Sequence, residues 1–177
     1  MEKQLPALQT VLDMPFVQRI RRNHGLEHAT IHLLSRRYPN LRMIGRSDAG
    51  GFWLYGNVST EDVKQAVSHA LDRMRNGERE LAIHPNCGTN LVMMALLGTV
   101  TTLFALAGSE RERFGKLQRL PLLVSGLMIA ALFGQPIGMR VQQHVTTLGD
   151  PGDLQIASVR RHQRGRMTVH RVETRSA

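Results

Sequence analysis

Two histidines four residues apart frame the segment His24-Gly25-Leu26-Glu27-His28. On a helix such a pair lies one turn apart on a single face, so both imidazoles reach one divalent ion, and Glu27 beside them offers a carboxylate that can carry a proton. These are the parts needed to polarise a carbonyl or to activate a water molecule. His32, another turn on, widens the histidine face as a neighbour rather than as a ligand. An open metal site takes three protein ligands. The chain offers two candidates for the third, His84 and Cys87, in the polar segment His84-Pro85-Asn86-Cys87-Gly88-Thr89-Asn90. With a thiolate as the third ligand, the ion keeps a net charge of about +1, softer than an all-histidine site.

Positioning these groups requires a helix, and the segment Val17–Arg37 has apolar residues at helical spacing before Pro39-Asn40 breaks it. Leu41–Arg46 and Gly51–Val58 read as short strands joined by a turn at Ser47-Asp48-Ala49-Gly50. Ser59 and the acidic pair Glu61-Asp62 open a helix from Thr60 to Arg75, which Asn76-Gly77 closes. Glu80–Ile83 is expected as a third strand leading into the His84–Asn90 segment. The layout is α+β, an α-β-β-α-β domain over residues 1–90 in which helices cover one face of a small sheet.

The rest of the chain changes character. Of its 177 residues, 23 are Lys or Arg and 14 are Asp or Glu, a formal charge of +9. Yet Leu91–Gly108 and Leu120–Met139 carry no charge, and each approaches the roughly 20 residues that cross a bilayer. They read as a transmembrane hairpin over residues 91–139, with Gly98, Ser125 and Gly126 allowing close helix approach. The connecting segment Ser109–Arg119 is itself basic, but the flanks outweigh it, with 12 Lys/Arg in residues 1–88 and 7 in residues 140–177. The N-terminus has no apolar run that could serve as a signal-peptide core, so both termini are expected on the cytoplasmic side of the inner membrane. Residues 140–177 read as a basic tail with a β-hairpin, Leu154–His162 and Met167–Thr174. That tail suits anionic lipid, and it lacks the aromatic stacking residues that a nucleic-acid groove needs. The single cysteine, Cys87, rules out a disulfide-stapled secreted scaffold.

The run from His24 to Thr89 resembles the core of S-ribosylhomocysteine lyase (LuxS), within the fold group shared with pitrilysin-type peptidases. The resemblance rests on pieces in matching order: His24-Gly25-Leu26-Glu27-His28, the strand Gly51-Phe52-Trp53-Leu54-Tyr55, the helix from Thr60, and Cys87-Gly88-Thr89. It implies His24, His28 and Cys87 as ligands of zinc or iron, with Glu27 as general base. Asp48 falls where that lyase carries a second, acid/base cysteine, so the resemblance makes Asp48 a proton carrier across the pocket. An interface-built site in the lyase implies a homodimer here. The function expected is a membrane-anchored metalloenzyme of lyase or hydrolase type acting on an amphiphilic or membrane-associated substrate. The alternatives are an H-x-x-E-H metalloprotease and a non-catalytic, metal-stabilised membrane module that binds lipid or a partner protein.

Overall fold

The computed structural model describes residues 6–107, 118–165 and 167–176. Gly108, most of the basic connecting segment (109–117) and Arg166 of the final turn lie outside the described residues. Two compact units emerge: Met1–His84 together with Gln143–Ala177, and Pro85–Gln142.

In the first unit, α1 (Pro6–Leu12) is short, and α2 (Pro15–Arg37) begins two residues before the expected start. Pro15 suits the first helical position because its fixed φ is already helical and its missing N–H would have had no partner there. Strands β1 (Ile44–Asp48) and β2 (Gly51–Tyr55) pair antiparallel, Ile44 opposite Tyr55 and Asp48 opposite Gly51. Gly51 is required at this turn. Its φ is +139°, and a Cβ there would run into the carbonyl oxygen of Val172. Helix α3 (Thr60–Arg75) matches its expected bounds: the Ser59 hydroxyl accepts the Asp62 backbone N–H, and Gly77 at φ +99° follows the end.

The expected third strand at Glu80–Ile83 is instead a 3-10 turn, Arg79–Ala82. Local bonds satisfy its backbone, Leu81 N–H to Glu78 O at 3.3 Å and Ile83 N–H to Glu80 O at 3.1 Å, and Arg73 pairs with Glu78 just before it. The strand position beside β2 is taken from far along the chain. Strands β3 (Leu154–Arg164) and β4 (Met167–Ser176) form a hairpin whose second strand pairs with β2, giving the antiparallel order β1-β2-β4-β3. The expectation of a separate basic tail from residue 140 is thereby corrected, since this hairpin supplies half of the sheet.

Helices α2 and α3 cover one face of that sheet. Leu26 and Leu34 from α2, Val63, Val67 and Met74 from α3, Phe52 and Leu54 from β2, Leu154 and Val172 are all buried in one core. Each contributes about 1.5–3 kcal/mol by leaving water. The inner face of β4 is only partly apolar, however: Thr168, His170 and Thr174 lie buried around Val172. His170 is wholly buried, with Nε2 3.1 Å from the Thr60 hydroxyl and Nδ1 unpaired among the described residues.

In the second unit, α4 (Gly88–Leu106) and α5 (Leu120–Val141) are both long and apolar enough to cross a membrane. Only 11% of each apolar window is buried within the chain, unlike a core helix of a soluble protein. Three threonines within α4 do not break its apolar character, because their hydroxyls donate to helix carbonyls: Thr99 to Ala95, Thr101 to Gly98 and Thr102 to Gly98, at 2.7–3.0 Å. The helices meet along a seam of small residues at every fourth position of α5, Gly126, Ala130, Gly134 and Gly138. A Cβ on Gly134 would strike Met94, and one on Gly138 would lie 2.7 Å from the Asn90 Cα. Beside that seam Gln142 donates to the Asn90 side chain (2.7 Å), whose own amide donates to the Pro85 carbonyl (2.5 Å).

Two outcomes are expected. Burial holds His170 below the ordinary histidine pKa, with Arg161 and His162 acting in the same direction. The unfolded chain therefore binds a proton that the folded chain refuses, and stability falls as pH drops below about 6.5. Thermal melts in detergent between pH 7.5 and 5.5 should show a shallower loss for His170→Gln than for the wild type; equal slopes would refute this account. Separately, Gly138→Ala should destabilise the hairpin by about 1–3 kcal/mol, read as an earlier midpoint in detergent-induced unfolding, whereas Gly98→Ala, whose Cβ meets only a Leu127 methyl at 3.5 Å, should leave it nearly unchanged.

Candidate metal centre

His24 and His28 project from consecutive turns of α2, with ring centroids 4.3 Å apart. Each ring is fixed by a backbone carbonyl. His24 Nδ1 lies 2.9 Å from Thr146 O, and His28 Nδ1 lies 2.7 Å from Ala82 O. A carbonyl only accepts, so each Nδ1 carries a proton, and in the neutral ring Nε2 is then the nitrogen with the lone pair. Carbonyl anchoring of the far nitrogen is the usual way a protein orients an imidazole for a metal.

The two carbonyls come from different places. Ala82 belongs to the 3-10 turn after α3, and Thr146 to the π-type turn Gln142–Thr146 after α5. Arg21, itself buried, straps the second segment to α2 by donating to His144 O (3.0 Å) and Thr147 O (3.2 Å), while Leu148 N–H returns a bond to Arg21 O. Gly25 makes the approach possible, since a Cβ there would lie 2.5 Å from Leu148 O and 3.1 Å from the Ala82 Cβ.

The histidine row continues as the sequence suggested. His32 Nε2 donates to Ile83 O at 2.8 Å, and the His84 ring stands 4.6 Å from that of His32 and 5.8 Å from that of His28. Burial is the main reason that the His28 pKa is pushed down to about 3 and the His84 pKa to about 4, so both rings are neutral at ordinary pH. Neutral imidazole is the form that binds metal.

Glu27 is buried at 3% exposure and accepts a short hydrogen bond from the Ser47 hydroxyl. Burial raises its pKa, while Ser47 and His24 hold it back. Gly45, two residues before Ser47 on the same face of β1, leaves the space that the Glu27 carboxylate fills; any Cβ at residue 45 would collide with it. Asn23, fully buried, ties this arrangement together by donating to Asp48 O (2.8 Å) and accepting from the Thr174 hydroxyl (2.7 Å). Sequence reasoning missed Gly45, Ser47, Arg21 and Asn23, since none is a ligand or belongs to the motif.

Asp48 does not stand across a pocket from Glu27. It follows Ser47 on a strand, so its side chain points to the other face of the sheet, where Arg171 grips both carboxylate oxygens at 2.8 Å and the Gly50 N–H adds a third bond at 2.8 Å. The Arg171 bonds hold its pKa below the usual carboxylate value. The position across the pocket expected for Asp48 is therefore not the one it takes, since its carboxylate is bound by Arg171 on the far face of the sheet.

Cys87, in the second unit, is buried and caps α4, its sulfur accepting the Thr89 backbone N–H at 3.4 Å.

Residues 19–159, well over half of the chain, match the family described as Domain of unknown function (DUF6391). The chain belongs to the DUF6391 family. The matched span includes α2 from Arg19 onward, both apolar helices and every metal-site candidate named above. This DUF6391 chain is also 37% identical over 139 residues to an uncharacterized protein of Picosynechococcus sp., the match covering 72% of this chain and 65% of that relative's length. No solved structure matches.

The packing around Glu27 and the surface position of Asp48 give opposite expectations. Gly45→Val should displace the Glu27 carboxylate and cost about 1–3 kcal/mol. Asp48→Asn, which weakens a half-exposed ion pair, should cost less than about 1 kcal/mol. Paired thermal melts check the order, and a reversed order would contradict the packing described.

Proposed function

We propose that the chain is a membrane-anchored metalloenzyme in which His24, His28 and Cys87 hold one divalent ion, zinc or iron(II), with Glu27 as general base. The observation that carries this reading is the histidine pair itself: the His24 and His28 rings stand 4.3 Å apart, each held at Nδ1 by a backbone carbonyl, with Cys87 as third ligand taken from the lyase resemblance. The donor chemistry agrees, for two neutral imidazoles with anchored Nδ1 atoms and one thiol are a ligand set of zinc and of other borderline-soft divalent ions. His84, the other candidate ligand, precedes Cys87 by three residues, a span of about 10 Å at most. The ring of His84 lies beside those of His28 and His32, where it supports the site rather than completing it.

A divalent ion there supplies a Lewis acid that polarises a carbonyl or acidifies a water molecule. The chain's own part is then defined by its residues. Glu27, buried next to the ligand histidines, takes up the proton and returns it. The Ser47 hydroxyl holds one Glu27 carboxylate oxygen, so the carboxylate enters the reaction already oriented. With Asp48 turned away, the second proton carrier implied by the lyase resemblance has no counterpart, which favours a hydrolytic reaction over the lyase reaction. Peptidases of the H-x-x-E-H type take their third ligand from a later glutamate, but Glu78 is occupied by Arg73. In this reading the two apolar helices hold the chain at a membrane, and the charge of the flanks favours both termini on the cytoplasmic side.

Elemental analysis of the detergent-purified protein should find about one zinc or iron per chain, lost in His28→Ala and in Cys87→Ala and kept in His84→Ala and Glu27→Gln. Against a panel of esters, amides and thioethers, Glu27→Gln should lose about 100-fold or more of any turnover. A metal-free wild type overturns the reading; a metal-loaded protein in which Glu27→Gln changes nothing leaves a metal-stabilised structural module.

A further inference from the structure

In the first unit, the start of α2, the turn between β1 and β2, the segment leading into β3 and the end of β4 border a cavity of about 350 Å3 that shares no residue with the candidate metal centre. Arg19 and Arg22 stand three residues apart on α2, so both side chains lie on one face of the helix and line this cavity. Each guanidinium is fixed by an anchor of its own. Arg19 Nη2 donates to Thr174 O at 3.1 Å, and Arg22 Nη1 donates to Asp153 Oδ1 at 2.8 Å. Gly152, at φ +53°, leaves the room that the Arg22 guanidinium fills, since a Cβ there would lie 2.7 Å from its Cζ. These anchors occupy a small part of two forks that offer five N–H groups each. The Nε atoms of both arginines are buried and have no partner among the described residues. Asp153 is the one acidic side chain among the described lining residues, so two guanidiniums face a single carboxylate and the cavity keeps a positive charge.

We propose that this cavity binds the phosphate group of a phosphate monoester between Arg19 and Arg22, with the Gln18 amide and the Ser176 hydroxyl in its wall. A carboxylate is answered by one arginine fork. Two forks held side by side, with an amide and a hydroxyl beside them, suit the three terminal oxygens and the charge of nearly −2 that a phosphate monoester carries. Because both guanidiniums are already anchored, little side-chain freedom is lost when the anion arrives. The volume falls within the range of small-ligand sites, about 300–1,000 Å3. It therefore leaves room for the first part of the ester beside Phe16, which is 65% exposed at the wall.

Glycerol 3-phosphate and phosphatidic acid carry the same phosphate monoester, one free in water and one on a lipid. Calorimetric titration of the full chain in non-ionic detergent reads the first. Native mass spectrometry of the same protein with phosphatidic acid, against phosphatidylcholine, reads the second. Arg19→Gln and Arg22→Gln should each weaken binding by about tenfold. Asp153→Asn removes the competing carboxylate and should tighten binding by about threefold, a gain that a damaged fold does not produce. This pattern with glycerol 3-phosphate assigns a soluble ester, and the same pattern with phosphatidic acid alone assigns a lipid head group. Binding of neither probe, equal binding by wild type and Arg22→Gln, or no tightening in Asp153→Asn overturns the proposal. Neither readout involves a metal, so the result stands apart from the reading of the histidine pair.

Discussion

Everything around the histidine pair depends on two N–H···O=C bonds, His24 to Thr146 and His28 to Ala82. An imidazole on a helix is free to turn about two torsions and to carry its proton on either nitrogen. Bonding both Nδ1 atoms to carbonyls removes that freedom and, in the neutral ring, makes Nε2 the basic nitrogen. Neither carbonyl is on α2, so the tautomer of each ring is set by tertiary structure. Buried Arg21, Gly25 and Asn23 then act as one construction that holds the carbonyl-bearing segments and the sheet against the helix.

The same helix solves an electrostatic problem. A carboxylate buried next to two histidines needs both space and a donor, and β1 provides them at alternate positions, Gly45 for space and Ser47 for the bond. Alternation also determines what happens one residue later. Asp48 is turned to the other face and joins Arg171, which lies over the Trp53 ring at 5.1 Å, so two neighbouring residues of one strand serve separate chemistries.

Local signals were legible in the sequence, and distant pairings were not. Pro39, Ser59, Gly77 and the uncharged runs of the two long helices announced themselves because caps, breakers and apolar length act over a few residues. His24, Glu27, His28, His84 and Cys87 stood out by residue type and spacing. The third strand was misplaced because Glu80–Ile83 satisfies its backbone in a local turn, while the final hairpin, itself legible, carried no local sign that its second strand would pair with β2. The Ala82 and Thr146 carbonyls could not be foreseen, since every residue has one. The seam of α5 was only partly visible: Gly126 was noted, but the register continuing through Ala130, Gly134 and Gly138 becomes meaningful only once α4 lies against it.

The sheet order has a consequence for how the molecule is made. Strand β2 ends at Tyr55, and its partner β4 begins at Met167; both apolar helices are synthesised in between. Until then the nascent domain carries an open β-edge and half a core, and His24 lacks the Thr146 carbonyl that orients it. Synthesis from the N-terminus thus places the hairpin before the sheet can close. A chain cut short after α5 would keep the whole histidine motif yet present an unpaired strand edge of the kind that templates aggregation. The hairpin Leu154–Ser176 therefore seals the edge of β2 only after both apolar helices have been made, and the Thr146 carbonyl that orients His24 is likewise a late addition.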